Sequence, residues 1–292
     1  MRIERVPPPA MAESSIAIPP SRKLHVISGD RRRPLIDWVE LWTFREVIVL
    51  LVSRSIKARY RQTYFGLLWA VAQPVVTLGV YSLVFGRLVG VPSEGAPYPL
   101  FVLCGLIPWN FLTRSVVAMT GSILSDQDLV KRVYFPRLAI PLSALAQAFN
   151  NTFFGLLLLV VGLFYYRILP PKSVVLAPAF LALACAAALG LGLMAAALNV
   201  RFRDVGYVMP VAMQTLLFLT PVIYPATLLP ESWRLVYAVN PAVGVIGGLR
   251  WSVLGIPPDP LAILISTTTA LGLLIAGLWC FARSEDTFAD II

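Results

Sequence analysis

From residue 62 onward the chain alternates long uncharged runs with short charged turns. Residues 96–113 and 139–166 carry no charge, and between them lies a compact polar segment, SDQDLVKRVYFPRLAIP, from Ser125 to Pro141. A bilayer core needs about 20 apolar residues at 1.5 Å each. On that ruler the pattern predicts six spans: 62–86, with Pro74 as a kink, 98–121, 139–166, 174–200, 205–224 and 261–282. Only Arg114 interrupts the second.

Residues 225–259 are apolar but cut by Pro230, Glu231, Arg234, Pro241 and Arg250. The longest uncharged piece, 235–249, covers about 22 Å as helix, less than the hydrocarbon thickness. The pattern predicts two half-helices that enter one leaflet and return. Broken backbone at that depth survives only when buried in protein or lining a watery cavity, which suggests a pore mouth. Upstream, residues 35–60 set Leu41, Phe44, Ile48 and Leu51 at helical spacing against Asp37, Glu40, Arg54 and Lys57, with Trp38 and Trp42 at the start. This predicts an amphipathic helix in the headgroup plane.

Composition agrees: 58% of residues are hydrophobic and 13% charged, against about 45–50% and 25% in soluble domains. The net charge of +9 raises nucleic acid as a partner, but its distribution argues against that. With the N-terminus inside, eighteen Lys and Arg fall on the inner side and five (Arg87, Arg167, Lys172, Arg234, Arg250) on the outer, the bias of cytoplasmic flanks. Both termini are expected in the cytoplasm. The fold class is then all-α integral membrane: six transmembrane helices, an N-terminal amphipathic interface helix, and a re-entrant periplasmic helical hairpin between spans five and six. The domain reading is a disordered basic tail at 1–34, the interfacial helix at 35–61, the transmembrane domain at 62–283 and a short tail at 284–292. No signal-peptide core precedes them.

Chemistry is sparse. Cys104, Cys185 and Cys280 lie far apart in apolar runs and His25 is the only histidine, so no disulfide, zinc site or haem is expected. Every Asp and Glu falls outside the six spans. Ion-coupled carriers hold their ion with ionisable groups near the midplane, and membrane hydrolases need carboxylates, histidine or a nucleophile–base pair. No catalytic or metal-ligating residue is therefore assigned. A phosphate-binding GxxxxGK[ST] loop is also missing. Work done here must be supplied by another polypeptide, and the polar segment after the second span, with Leu129, Val130 and Val133 between its charges, suits docking against one.

Several stretches resemble the membrane subunits of polysaccharide-exporting ABC transporters, the permeases of O-antigen, capsule and teichoic-acid export. They are ARYRQTYFGLLWAVAQPV at 58–75, GLIPWNFL at 105–112, DLVKRVYFPRLAIPL at 128–142, LNVRFRDVGYVMPVAMQTLLFLTPVIYP at 198–225 and VNPAVGVIGGLRW at 239–251. The resemblance implies a homodimeric channel with two copies of an ABC ATPase, which bind the ATP and Mg, so that this chain needs no cofactor. It implies that 125–136 is a coupling loop, that 225–258 forms a re-entrant gate, and that spans one and five line the path of a lipid-linked polysaccharide.

Under that reading Ser125, Asp126, Gln127, Asp128, Leu129, Lys131 and Arg132 dock the ATPase. Arg201, Arg203 and Asp204, on the second short turn, either join them or simply snorkel. Tyr64, Phe65, Trp69, Tyr81, Phe218 and Tyr224 are rungs on which sugar faces stack, or else interface anchors. Gln73 and Gln214 bond hydroxyls or a neighbouring helix. Arg114 costs about 2.5–3.5 kcal/mol if central; it either snorkels to inner headgroups or contacts a lipid-linked pyrophosphate. Other readings are a permease of the same architecture for a drug or small lipid, a polytopic enzyme of glycan assembly, and a scaffold.

Overall fold

A computed structural model describes residues 38–60 and 68–291. The expected tail at 1–34 lies outside the described residues, as do Tyr64, Phe65 and the start of the first expected span. The described chain forms helices α1 (Trp38–Thr43), α2 (Arg45–Tyr60), α3 (Leu68–Tyr81), α4 (Tyr98–Ser125), α5 (Gln127–Arg132) and α6 (Ala139–Tyr166). After these come α7 (Ala177–Arg201), α8 (Val205–Phe218), α9 (Glu231–Ala238), α10 (Pro241–Leu254), α11 (Pro260–Ser284) and α12 (Phe288–Ile291). Strands are absent among the described residues.

Among the described residues five helical segments are long and apolar enough to cross a membrane: Val71–Leu88, Tyr98–Ser125, Ala139–Tyr166, Lys172–Arg201 and Pro260–Ser284. The first joins α3 to a wider π-helical stretch, Ser82–Leu88, and carries Pro74 inside it as expected. The second runs four residues beyond the expected end, through Ser125. Residues 205–224 differ from the expectation, because α8 stops at Phe218 after 14 residues, about 21 Å. Pro221 lacks an N–H and drives Thr220 away from helical backbone, so the chain leaves the helix before it has crossed a full bilayer.

At the centre stands α4. Eighteen of its 28 residues are buried, including the unbroken run Leu100–Trp109, because α6 and α7 pack along it and α8 and α10 lean on its first half. Close approach comes from small residues where apolar solvent gives no hydrophobic drive. Gly192 of α7 sits against Met119, and Gly190 meets the backbone of Leu273 in α11, where Gly277 in turn lies on the Gly190 carbonyl. Asn199 near the end of α7 donates from Nδ2 to the Thr120 carbonyl at 2.8 Å. That bond brings the α7–α8 turn to the same end of the bundle as α5.

Within 225–259, where a broken pair was expected, the chain forms the two short helices α9 and α10. Their break falls at Val239–Asn240, where Asn240 caps α10: its Oδ1 accepts from Ala242 N at 3.0 Å while its Nδ2 donates to Thr220 Oγ1 at 2.8 Å. Ser266 of α11 accepts from Gly244 N at 3.0 Å and donates to the Ala238 carbonyl at 2.8 Å, so both short helices are tied to the start of α11.

Candidate functional site

Two ends and one interior chamber of the bundle concentrate the polar chemistry. At the first end, α5 follows α4 after one residue, Asp126, whose carbonyl accepts from Leu129 N and Val130 N at 2.9 and 3.1 Å. Val130 is only 6% exposed and joins the main core with α2 and α6 residues. Leu129 is half-buried, and Val133 alone of the three apolar positions is exposed. The expected mixed docking face is therefore mostly charged. Gln127, Asp128, Lys131 and Arg132 point outward, with Asp128 and Arg132 paired at 3.8 Å one turn apart. Asp126 pairs instead with Arg54 of α2 at 3.8 Å, and Tyr134 donates to Glu40 of α1 at 3.3 Å.

The short helix is thus seated by one apolar side chain and two contacts with the N-terminal helices. From the other flank Arg137 holds the C-terminal end: its backbone N–H donates to Glu285 Oε1 at 3.1 Å and its guanidinium to the Glu285 carbonyl. Arg201, Arg203 and Asp204 are exposed on the α7–α8 turn. Among the described residues no ion pair joins them to α5; Arg201 lies over the Phe202 ring.

At the opposite end the dominant residue is one that the charge count places on the outer side. Arg250 is 4% exposed. Its guanidinium lies 3.6 Å from the Phe101 ring centroid and donates from Nη2 to the Val222 carbonyl at 2.7 Å. Tyr98, at the first turn of α4, donates to the Ile223 carbonyl at 2.8 Å. Gly105 admits this arrangement, since a Cβ there would stand 2.7 Å from the Val222 carbonyl. The irregular stretch after α8 is consequently clamped between α10 and α4. An apolar neighbourhood with one cation in a helical register gave no sequence signal for this burial.

Of the expected path residues, Tyr81 is half-buried and packs toward the core beside Phe85, at 5.8 Å. Trp69, Gln214 and Phe218 are exposed, and Tyr224 is half-buried, donating to the Phe218 carbonyl at 3.0 Å. The structure does not gather these side chains into one channel within a single copy. It does bring Gln73 and Arg114 together, with Thr77, Asn110, Asn151 and Thr152, around a cavity between α3, α4 and α6. An adjoining cavity of about 280 Å³ shares Arg114 and Asn151 and adds Thr113 and Gln147. Asn110, Gln147 and Asn151 were not singled out from the sequence. The signal was present: Asn110 and Arg114, and Gln147 and Asn151, are polar pairs four apart on otherwise apolar helices.

Among the described residues no group of three or more His, Cys, Asp or Glu comes together. The arrangement is a bundle of long apolar helices with a seated polar helix, α5, at one end and the irregular stretch after α8 clamped at the other. Residues 46–254 match the ABC-2 type transporter family, and the chain belongs to it. The O-antigen export system permease protein RfbA of Myxococcus xanthus is 31% identical over 259 residues, 87% of this chain and 98% of that protein. The inner membrane transport permease YadH of Escherichia coli is 26% identical over 71% of this chain and 82% of its own length. The polysialic acid transport protein KpsM of Escherichia coli is 26% identical over 77% and 90% respectively.

Proposed function

We propose that the chain is the channel-forming membrane subunit of an ATP-driven exporter that carries a lipid-linked polysaccharide across the bacterial inner membrane. The observation that carries the reading is the mechanical continuity of α4. It bears α5 one residue beyond one end, and its other end holds Tyr98 and Phe101 under the clamped hairpin. A helix packed along its whole length moves as a rigid rod. Displacing α5 therefore displaces the seat of the hairpin about 40 Å away, at 1.5 Å per residue. The polymer class follows from the O-antigen and polysialic acid relatives, which match nearly their full lengths.

In this reading a separate ATPase, binding ATP and Mg, docks on Gln127, Asp128, Lys131 and Arg132, with Ser125, Asp126 and Leu129 setting the helix and the Arg201–Asp204 turn beside it. Two copies of the chain pair with two ATPase copies. Exposed apolar faces on α3 and α8, including Val75, Val76, Val80, Tyr207, Val211 and Phe218, face lipid or the second copy across the path. Trp69, Gln73, Arg114, Gln214, Phe218 and Tyr224 line that path. The α5 end and both termini face the cytoplasm. α8 completes a sixth crossing with the irregular residues after Phe218, and α9–α10 is the re-entrant outer gate.

A second reading, export of a drug or small lipid, is kept open by YadH, whose name specifies no polymer. Deleting the chain separates the two. Loss of surface polysaccharide with polymer accumulating inside the cell supports the proposal; intact surface polysaccharide with altered drug sensitivity supports the alternative.

A further inference from the structure

Three helices place their polar side chains at one depth. Arg114 lies 11 residues before Ser125, about 16 Å from the α5 end, and Asn151 lies 12 residues after Ala139, about 18 Å from the same end. Both line two adjoining cavities, the smaller between α3, α4 and α6 and the larger between α4 and α6. Three turns of helix separate Arg114 from the nearer end of its span, and its place in the cavity lining accounts for it better than snorkelling does.

The lining has a definite chemical sense. One guanidinium is accompanied by the amides of Gln73, Asn110, Gln147 and Asn151, and among the described residues no carboxylate lines either cavity. Arginine with neutral donors matches the fork geometry of a phosphoryl oxyanion; the set is wrong for a cation. Beside the same space, Thr113, a residue of the larger cavity's wall, has a hydroxyl that is buried without a hydrogen-bond partner. Buried polar atoms are normally bonded. At about 280 Å³ the larger cavity falls at the lower edge of the ~300–1,000 Å³ range of ligand sites, room for a head group and too small for a polymer. Flanking it, α6 exposes Phe149, Phe153, Leu157 and Val160, and α3 exposes Val71, Val75 and Val76. An acyl or isoprenoid tail can lie on such surfaces while its charged end enters between the helices.

We propose that this chamber binds the phosphate group of a lipid-linked substrate, with Arg114 as its cation and Asn110, Thr113, Gln147 and Asn151 as neutral ligands. The site rests on the export reading above and specifies which part of the substrate the membrane subunit holds. Held there, the head group sits near the middle of the bilayer, with its attached sugar free to leave along the path.

The test uses the full complex of chain and ATPase in nanodiscs, with three probes: a polyprenyl diphosphate, the corresponding uncharged polyprenol, and inorganic pyrophosphate. The diphosphate is expected to bind, Arg114→Gln to weaken it about tenfold or more and Arg114→Lys to restore only part, because a point charge lacks the fork. Thr113→Val and Asn151→Ala, which keep the charge and guard against misfolding of the Arg114 variant, are each expected to weaken binding several-fold, roughly. Binding of the diphosphate unchanged in folded Arg114→Gln, or equal binding of the polyprenol, overturns the site. Competition by inorganic pyrophosphate as strong as by the lipid overturns the lipid-linked source. Export of polysaccharide in cells is scored separately. Arg114-dependent diphosphate binding without polysaccharide export sinks the export reading and leaves the site standing; export with Arg114-independent binding sinks the site alone.

Discussion

Arg250 shows what a single buried cation can do in an apolar helix. It is held by the Phe101 ring face and the Val222 carbonyl, and a cation over an aromatic ring is worth about 2 kcal/mol or more when desolvated. Arg250→Met keeps much of the volume and leaves the Val222 carbonyl unpaired, which costs about 1–3 kcal/mol. The expected outcome is a lower unfolding midpoint of the purified complex and faster labelling of a cysteine placed at Val222. An unchanged midpoint with unchanged labelling would show that the hairpin is held by something else. Arg114, the other cation away from the bundle ends, differs in kind. It lines two cavities beside the amides of Gln73, Asn110, Gln147 and Asn151, and its loss should show in ligand binding.

Among the elements, α5 divides cleanly into a seat and a face. Val130 is the seat, so Val130→Asp puts a charge into the core and should unfold or detach the segment. The face is exposed, and the Asp128–Arg132 pair, 83% and 79% exposed, contributes only about 0.3–0.5 kcal/mol as an i,i+4 pair. The reversed pair Asp128→Arg with Arg132→Glu retains the internal attraction while inverting the field seen by a partner. Thermal stability is expected to stay within about 1 °C, since so small a term barely moves the midpoint of a domain this size, while copurification of the ATPase drops. Copurification unchanged would remove α5 as the docking helix. The α7–α11 crossing offers a packing test. A Cβ on Gly190 would stand 2.6 Å from Leu274 N, so Gly190→Ala forces the helices apart at a cost of about 1–3 kcal/mol, read as a lower midpoint and reduced yield. Gly272, with open space around it, should accept alanine without loss.

At the scale of the whole molecule, what was legible in the sequence was whatever length and charge determine. The uncharged runs gave α6, α7 and α11 to within a few residues, and the prolines and glycines of 225–259 gave a broken pair of short helices. The early end of α8 was written in Pro221 but hidden by the apolar residues that follow it. Burial was much less legible. Nothing in periodicity distinguishes α4, packed on nearly all sides, from α6, which exposes much of its length. Arg250 read as one of the outer cations because charge counting gives a side of the membrane and not a depth of burial. Of the polar segment after α4, the exposure of Gln127, Asp128, Lys131 and Arg132 was legible because charged side chains between two spans have few places to go. The chamber was not, since its members come from three helices separated by up to 78 positions and only packing brings them together.

The central claim is that this membrane subunit performs no work alone and is driven through α5. Its most direct measurement is transfer of lipid-linked polysaccharide in proteoliposomes holding the chain with its ATPase, scored by protection of polymer from an added glycosidase. Protection should need ATP and the ATPase together, and should fall to background with the reversed Asp128–Arg132 pair. Transfer by the chain without the ATPase, or undiminished transfer with that pair reversed, would contradict it.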